Sequence, residues 1–172
     1  MKTAGDSTMR AMVAETFSGY GGLRQEELPK PRAAADRVLV RITAAGVTPL
    51  DHTILAGEIS RAAAPLVLGN EGAGVVEDAG DSGLPVGRRV MFTGPYGVRE
   101  NGAWQQWLLV KPGDLALVPE GIEDVVAASL PVAYLTAELT LTLAGFKPGM
   151  TVLAPGIGGS VGNATYQLAR AR

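Results

Sequence analysis

Apolar positions recur every second residue over the first two-thirds of the chain and at helical spacing over the last third. Residues 37–44 place Val38, Val40 and Ile42 on one face and Leu39, Arg41 and Thr43 on the other, which is the period of a half-buried strand. Residues 9–16 are short and mostly apolar, and residues 72–76 are small and apolar ahead of an acidic, glycine-bearing turn at 77–83. Residues 88–93 carry Val90 and Phe92 inward by the same rule. Residues 103–110 and 115–118 complete the set, separated by the turn Lys111-Pro112-Gly113-Asp114. In the first of these, Trp104 and Trp107 stand three apart and so on opposite faces. Six short strands at this spacing predict a barrel or sandwich rather than a parallel sheet.

Near Glu120 the period changes. Residues 123–129 suit a short helix, and Pro131 suits the first turn of a second one. Val132, Leu135, Leu139 and Leu143 then recur as one helical stripe, and Gly145 is a natural stop. Residues 139–143 also alternate as a strand would, but the longer pattern favours helix. Beyond the turn Lys147-Pro148-Gly149, the spacing predicts an apolar strand over 151–154, a glycine turn, and a helix whose apolar face is Val161, Thr165, Leu168 and Ala169. This is the opening half of a βαβ unit. Gly156, Gly159 and Gly162 are evenly spaced through the turn. Glycines there let backbone amides approach a diphosphate, and a helix N-terminus adds partial positive charge. The competing reading is a tight turn that only packs helix on strand. The residue that reads the adenosine ribose lies roughly 20 positions further on, past Arg172, so these residues are expected to hold part of the nucleotide-binding machinery.

Composition narrows the class. A chain of 172 residues, 47% hydrophobic, holds one domain or one and part of a second. A formal charge of -2 argues against nucleic acid or a polybasic membrane surface as partner. The absence of cysteine excludes a disulfide, a thiolate nucleophile and cysteine-ligated zinc. The first ten residues carry no apolar core, and no apolar run reaches bilayer length, which leads to the expectation of a soluble, cytoplasmic protein.

Five ordered motifs carry a family resemblance. Ala44-Ala45-Gly46-Val47-Thr48-Pro49-Leu50-Asp51 resembles the A-A-G-V-N-P-x-D signature of medium-chain dehydrogenases/reductases of the zinc-independent, zeta-crystallin-like quinone oxidoreductase type. Residues 65–76, PLVLGNEGAGVV, resemble that family's P-x-x-x-G-H-E-G-x-G-x-V. Residues 102–107 stand where the family has G-x-x-A-E-Y. Residues 130–137, LPVAYLTA, match L-P-x-x-x-L-T-A, and the glycine turn is similar to G-A-x-G-G-V-G. The resemblance implies a mainly β fold with an α/β C-terminal part: a GroES-like β-barrel over 1–125, then connecting helices and the first strand, turn and helix of an incomplete Rossmann domain over 126–172.

It also implies hydride transfer from NADPH or NADH to a quinone, enone or related activated carbonyl. By the same resemblance Thr48 offers a hydroxyl near the cofactor, Thr136 lies beside the nicotinamide, and Gly156, Gly159, Ser160, Val161 and Gly162 meet the pyrophosphate. Zinc-dependent relatives have cysteine at the position of Thr48 and histidine at that of Asn70, and Glu71 alone makes no tetrahedral site, so no metal is expected. His52, the one histidine, is either a proton donor for enone or quinone reduction or, with Asp51, a locally bonded group at a strand end. Tyr96 either lines a substrate cleft or packs. The chain alone is expected to be inactive, and an unpaired strand at 151–154 would invite a homodimer or a complementing chain. The alternative is a non-catalytic GroES-like binding or structural module.

Overall fold

The computed structural model describes residues 8–172; the leader reading and the first seven residues of the 1–125 domain lie outside them. The chain divides into two compact units, one through Ser129 and one from Leu130 to Arg172.

In the first unit, β1 (Thr8–Ala14) pairs antiparallel with β2 (Leu23–Pro29) along its whole length, from Thr8↔Pro29 to Ala14↔Leu23. A second sheet is centred on β3 (Val38–Ala45). The two-residue β4 (Leu66–Val67) joins the first sheet, and β5 (Glu71–Asp78), β6 (Arg89–Thr93), β7 (Trp107–Val110) and β8 (Leu115–Leu117) join the second. The strand orders are β2-β1-β4 and β7-β3-β5-β6-β8. Both sheets are open, so the predicted closed β-barrel is corrected. Closure needs an unbroken ladder around the circumference. Here β4 offers β1 only Val13↔Val67 and Ala14↔Leu66, and the link from β1 towards β7 is the isolated bridge Ala11↔Gln105.

Val38, Val40, Val90, Phe92 and Val110 form the core of the larger sheet, as their alternation predicts. Three elements differ from the sequence expectation. β2 reads LRQEELP, almost wholly polar, and exists because β1 supplies a full register of partners; a charged edge strand of this kind also resists edge-to-edge association. Residues 49–55 form a helix, α1 (Pro49–Leu55), rather than a strand end. The strand expected from residue 103 begins at Trp107, so the two tryptophans are not alternating neighbours. Trp104 Nε1 donates to Gly46 O at 2.9 Å, whereas Trp107 Nε1 donates to Glu77 Oε2 at 2.6 Å beneath Lys30. The helix α2 (Asp124–Ala127) ends this unit, with Ala127 and Ala128 packed against Ala73 and Val118.

The second unit holds α3 (Pro131–Leu143) and α4 (Ser160–Ala171). They meet through small residues, Ala133 and Ala137 against Ala164, flanked by Tyr134 and Leu168. The stripe predicted to face inward on α3 faces outward instead: Leu135, Leu139 and Leu143 are exposed, and Pro131, Ala133, Ala137 and Leu141 are buried. On α4 the buried positions are Ala164 and Thr165, with Val161 exposed. Residues 151–154 are not a strand. A strand requires a ladder with another strand, and none of the described residues provides one, leaving Leu153 93% exposed.

Candidate functional site

Two arrangements, one in each unit, bring the expected residues together. The first lies where β3 leaves its sheet and enters α1. Thr48 caps that helix in an extended conformation, Pro49 occupies the first turn, and Asp51 stands three residues after the cap. Such a cap satisfies amides that the helix leaves without intrahelical partners. Asp51 Oδ2 accepts from Thr48 N and from Thr48 Oγ1, both at 2.8 Å, and Asp51 Oδ1 accepts from Gly69 N at 2.9 Å. The carboxylate is 1% exposed and ties α1 to the segment ahead of β5. Thr48 Oγ1 also stands 3.3 Å from Asn70 Oδ1, and Thr93 Oγ1 donates to Asn70 O at 2.8 Å. Thr48, Asp51 and Asn70 therefore form one contiguous polar cluster.

His52 lies on the exposed side of α1, with Nδ1 3.1 Å from the hydroxyl of the exposed Tyr20. Tyr96 is fully buried. Its hydroxyl donates to Asp114 Oδ2 at 2.7 Å and accepts from Lys111 N at 2.9 Å, and its ring meets Phe92 edge-on. Burial, with the neighbouring Asp114 carboxylate, pushes the phenol pKa well above its ordinary value. This hydroxyl binds the strand β6 region to the 111–114 turn. Sequence reasoning assigned no role to Asn70 or Tyr20. It also missed the helix α1, which the capping pattern Thr-Pro-x-Asp could have revealed.

The second arrangement is the glycine turn. Gly156 has φ +78, a left-handed conformation that suits glycine. The Gly159 amide closes the turn onto Gly156 O at 2.9 Å, and Asn163 N donates to Gly159 O at 2.8 Å as α4 begins. Gly162 fits for a different reason: a Cβ there would lie 2.4 Å from Gly156 O and 2.7 Å from Ile157 Cα. The turn thus folds tightly over the start of α4. Ser160, Val161 and Gly162 carry the first-turn amides, which an α-helix leaves without intrahelical partners. No acidic residue occupies that first turn, and positions 156–161 are exposed. Beside the turn lies a cleft of about 700 Å³ lined by Leu141, Phe146, Val152, Pro155, Gly159 and Gly162, among others. Thr136 lies exposed in the middle of α3, its carbonyl accepting from Thr140 Oγ1 at 2.7 Å.

The arrangement fits a dinucleotide diphosphate. Its amides are oriented by a helix N-terminus, and Cβ atoms built at Gly156 and Gly158 would meet open space rather than packed atoms. It does not fit zinc. Thr48 and Asn70 are poor ligands, the sequence has no cysteine, and among the described residues no group of three or more His, Cys, Asp or Glu is placed to hold a metal ion. Nor, among the described residues, is any helix long and apolar enough to cross a membrane.

Two open antiparallel sheets with a capped helix, followed along the chain by a glycine turn at a helix start, are the parts that the family resemblance implies. Residues 34–120 match the alcohol dehydrogenase GroES-like domain. The synaptic vesicle membrane protein VAT-1 homolog-like of Mus musculus is 32% identical over 93% of this chain and 38% of its own length. The chloroplastic NADPH-dependent alkenal/one oxidoreductase of Arabidopsis thaliana is 31% identical over 98% of this chain and 47% of its own length. Among solved structures, the quinone oxidoreductase of Thermus thermophilus, also solved in complex with NADPH, superposes with a TM-score of 0.80 at 34% identity, covering 95% of this chain and 50% of that one. The chain belongs to the medium-chain dehydrogenase/reductase superfamily, in its zinc-independent, quinone oxidoreductase-like group. It spans half or less of the length of these relatives.

Proposed function

We propose that this chain provides the substrate-side domain and the diphosphate-binding turn of a zinc-independent NAD(P)H-dependent reductase acting on quinones, enones or related activated carbonyls. The observation that carries this reading is the close fit of Gly162 beneath Gly156, which sets the first-turn amides of α4 at an exposed turn. The family match and the names of the relatives support the cofactor and substrate class.

In this reading the amides of Ser160, Val161 and Gly162 hold the diphosphate, with the Ser160 hydroxyl as a further donor and Gly156 and Gly159 shaping the turn. In the second unit Thr136 is a polar neighbour of the nicotinamide, and in the first Thr48 is the polar residue of the substrate-side domain. When bound, the dinucleotide supplies a hydride. The chain's own residues orient the acceptor and offer hydrogen bonds to its oxygen, a role suited to substrates that already delocalise negative charge. Asp51 fixes Thr48 in place. Of the two candidate proton donors, exposed His52 with Tyr20 is open to solvent, and Tyr96 serves as a structural tie. NADPH oxidation by this chain alone is expected to be slow with quinones.

The test is an NADPH fluorescence titration. Saturable binding that is weakened about tenfold or more in Gly162→Ala supports the reading. Absence of binding, or binding indifferent to Gly162→Ala, contradicts it.

A further inference from the structure

The hydrogen bonds around Thr48 single out a different residue as the donor a carbonyl would meet. A hydroxyl has one proton to give. Thr48 Oγ1 donates towards Asp51 Oδ2 at 2.8 Å and towards Asn70 Oδ1 at 3.3 Å, so its one proton is shared between these two acceptors. Thr48 then has no proton left for a substrate. Asn70 is in the opposite position. The residue is 8% exposed, its carbonyl is held by Thr93, and the one contact of its side chain is the one to Thr48. Its Nδ2 makes no hydrogen bond within the protein. Among the described residues no buried side-chain nitrogen or oxygen lacks a partner, so this Nδ2 reaches space open to solvent. With Oδ1 turned to the Thr48 hydroxyl, the amide leaves its N–H donors at the open position.

We propose that Asn70 Nδ2 donates a hydrogen bond to the carbonyl oxygen of the enone or quinone substrate, beside Thr48; this rests on the reductase reading above. A carbonyl oxygen that gains negative charge as a hydride arrives is the acceptor such a donor serves best. Asp51 acts through Thr48 as a positioning residue, since it accepts from Thr48 N and Oγ1 and so fixes the hydroxyl that Asn70 Oδ1 faces.

The test is a titration of the ¹⁵N-labelled chain with cyclohex-2-enone, following side-chain amide resonances, alongside the NADPH fluorescence titration. The Asn70 NH₂ resonances are expected to move with the ligand, and the near-isosteric Asn70→Leu to weaken enone binding about tenfold. The wild-type shifts answer the question even if the variant folds poorly. The proposal is overturned if the enone moves other resonances but leaves the Asn70 NH₂ still, which means water alone holds it. It is also overturned if Asn70→Leu binds equally well. NADPH binding without any enone response sinks the proposal and leaves the reductase reading standing; loss of both removes the reading itself.

Discussion

The two units handle their large apolar side chains in opposite ways. In the first unit Ile54, Leu55, Leu68, Val90 and Phe92 are buried in the interior, together with the Asp51 carboxylate. In the second, packing is done by alanines, while Leu135, Leu139, Leu143 and Leu153 stand exposed. Stability in the first unit therefore comes from burial of large side chains. In the second it comes from close approach of two helices and from a turn shaped by glycine. The same amino acid contributes differently in the two places.

The comparison predicts unequal costs for similar truncations. Ile54→Ala, in a core that cannot collapse freely, is expected to lose about 2–5 kcal/mol, read by urea unfolding. Both tryptophans lie in the first unit, so their fluorescence reports on it. Asp51→Ala strands the amides of Gly69 and Thr48 and is expected to cost on the order of 3 kcal/mol by the same measurement. A loss below about 1 kcal/mol would mean that water replaces the carboxylate.

In the second unit, Gly162→Ala forces the turn off the helix and is expected to cost about 1–3 kcal/mol, seen as lost helicity in circular dichroism. Leu143→Ala, at a residue 79% exposed, is expected to change stability by less than about 0.5 kcal/mol. A large loss there would show that the α3 stripe is covered in solution and would break the comparison.

The smallest expected effect is a pH dependence confined to the first unit. Burial works to raise the pKa of Glu77, but the hydrogen bonds from Lys30 and Trp107 outweigh it and hold the carboxyl below its ordinary value. A folded pKa below the unfolded one gives stability that is present above the ordinary carboxylate range and is lost as pH falls through the lowered value. The thermal midpoint should therefore drop below about pH 4.5, and less steeply in Glu77→Gln.

How much the sequence disclosed follows the same division. Alternation in residues 37–44 and 88–93 locates β3 and β6 and names their inward residues, because large side chains there do the packing. β2 is not legible, since its seven residues are mostly polar and its existence depends on β1. The buried face of α3 runs against its leucine pattern because alanine packing leaves no stripe of large residues to follow. The strand expected at 151–154 rests on apolar composition, and composition alone supplies no ladder partner. The open sheets differ from the expected barrel for a similar reason: closure depends on a few pairings between distant segments, here reduced to Ala11↔Gln105 and the short β4. The glycine turn is legible by spacing. The separate reasons for each glycine, and the free amide of Asn70, require coordinates.

The central claim is that the start of α4 presents its amides to a dinucleotide. Backbone amide shifts of the ¹⁵N-labelled chain on addition of NADPH test it most directly. The account predicts that Ser160, Val161 and Gly162 move together and saturate together. NADPH that moves none of these three, or that moves only residues of the first unit, would contradict it.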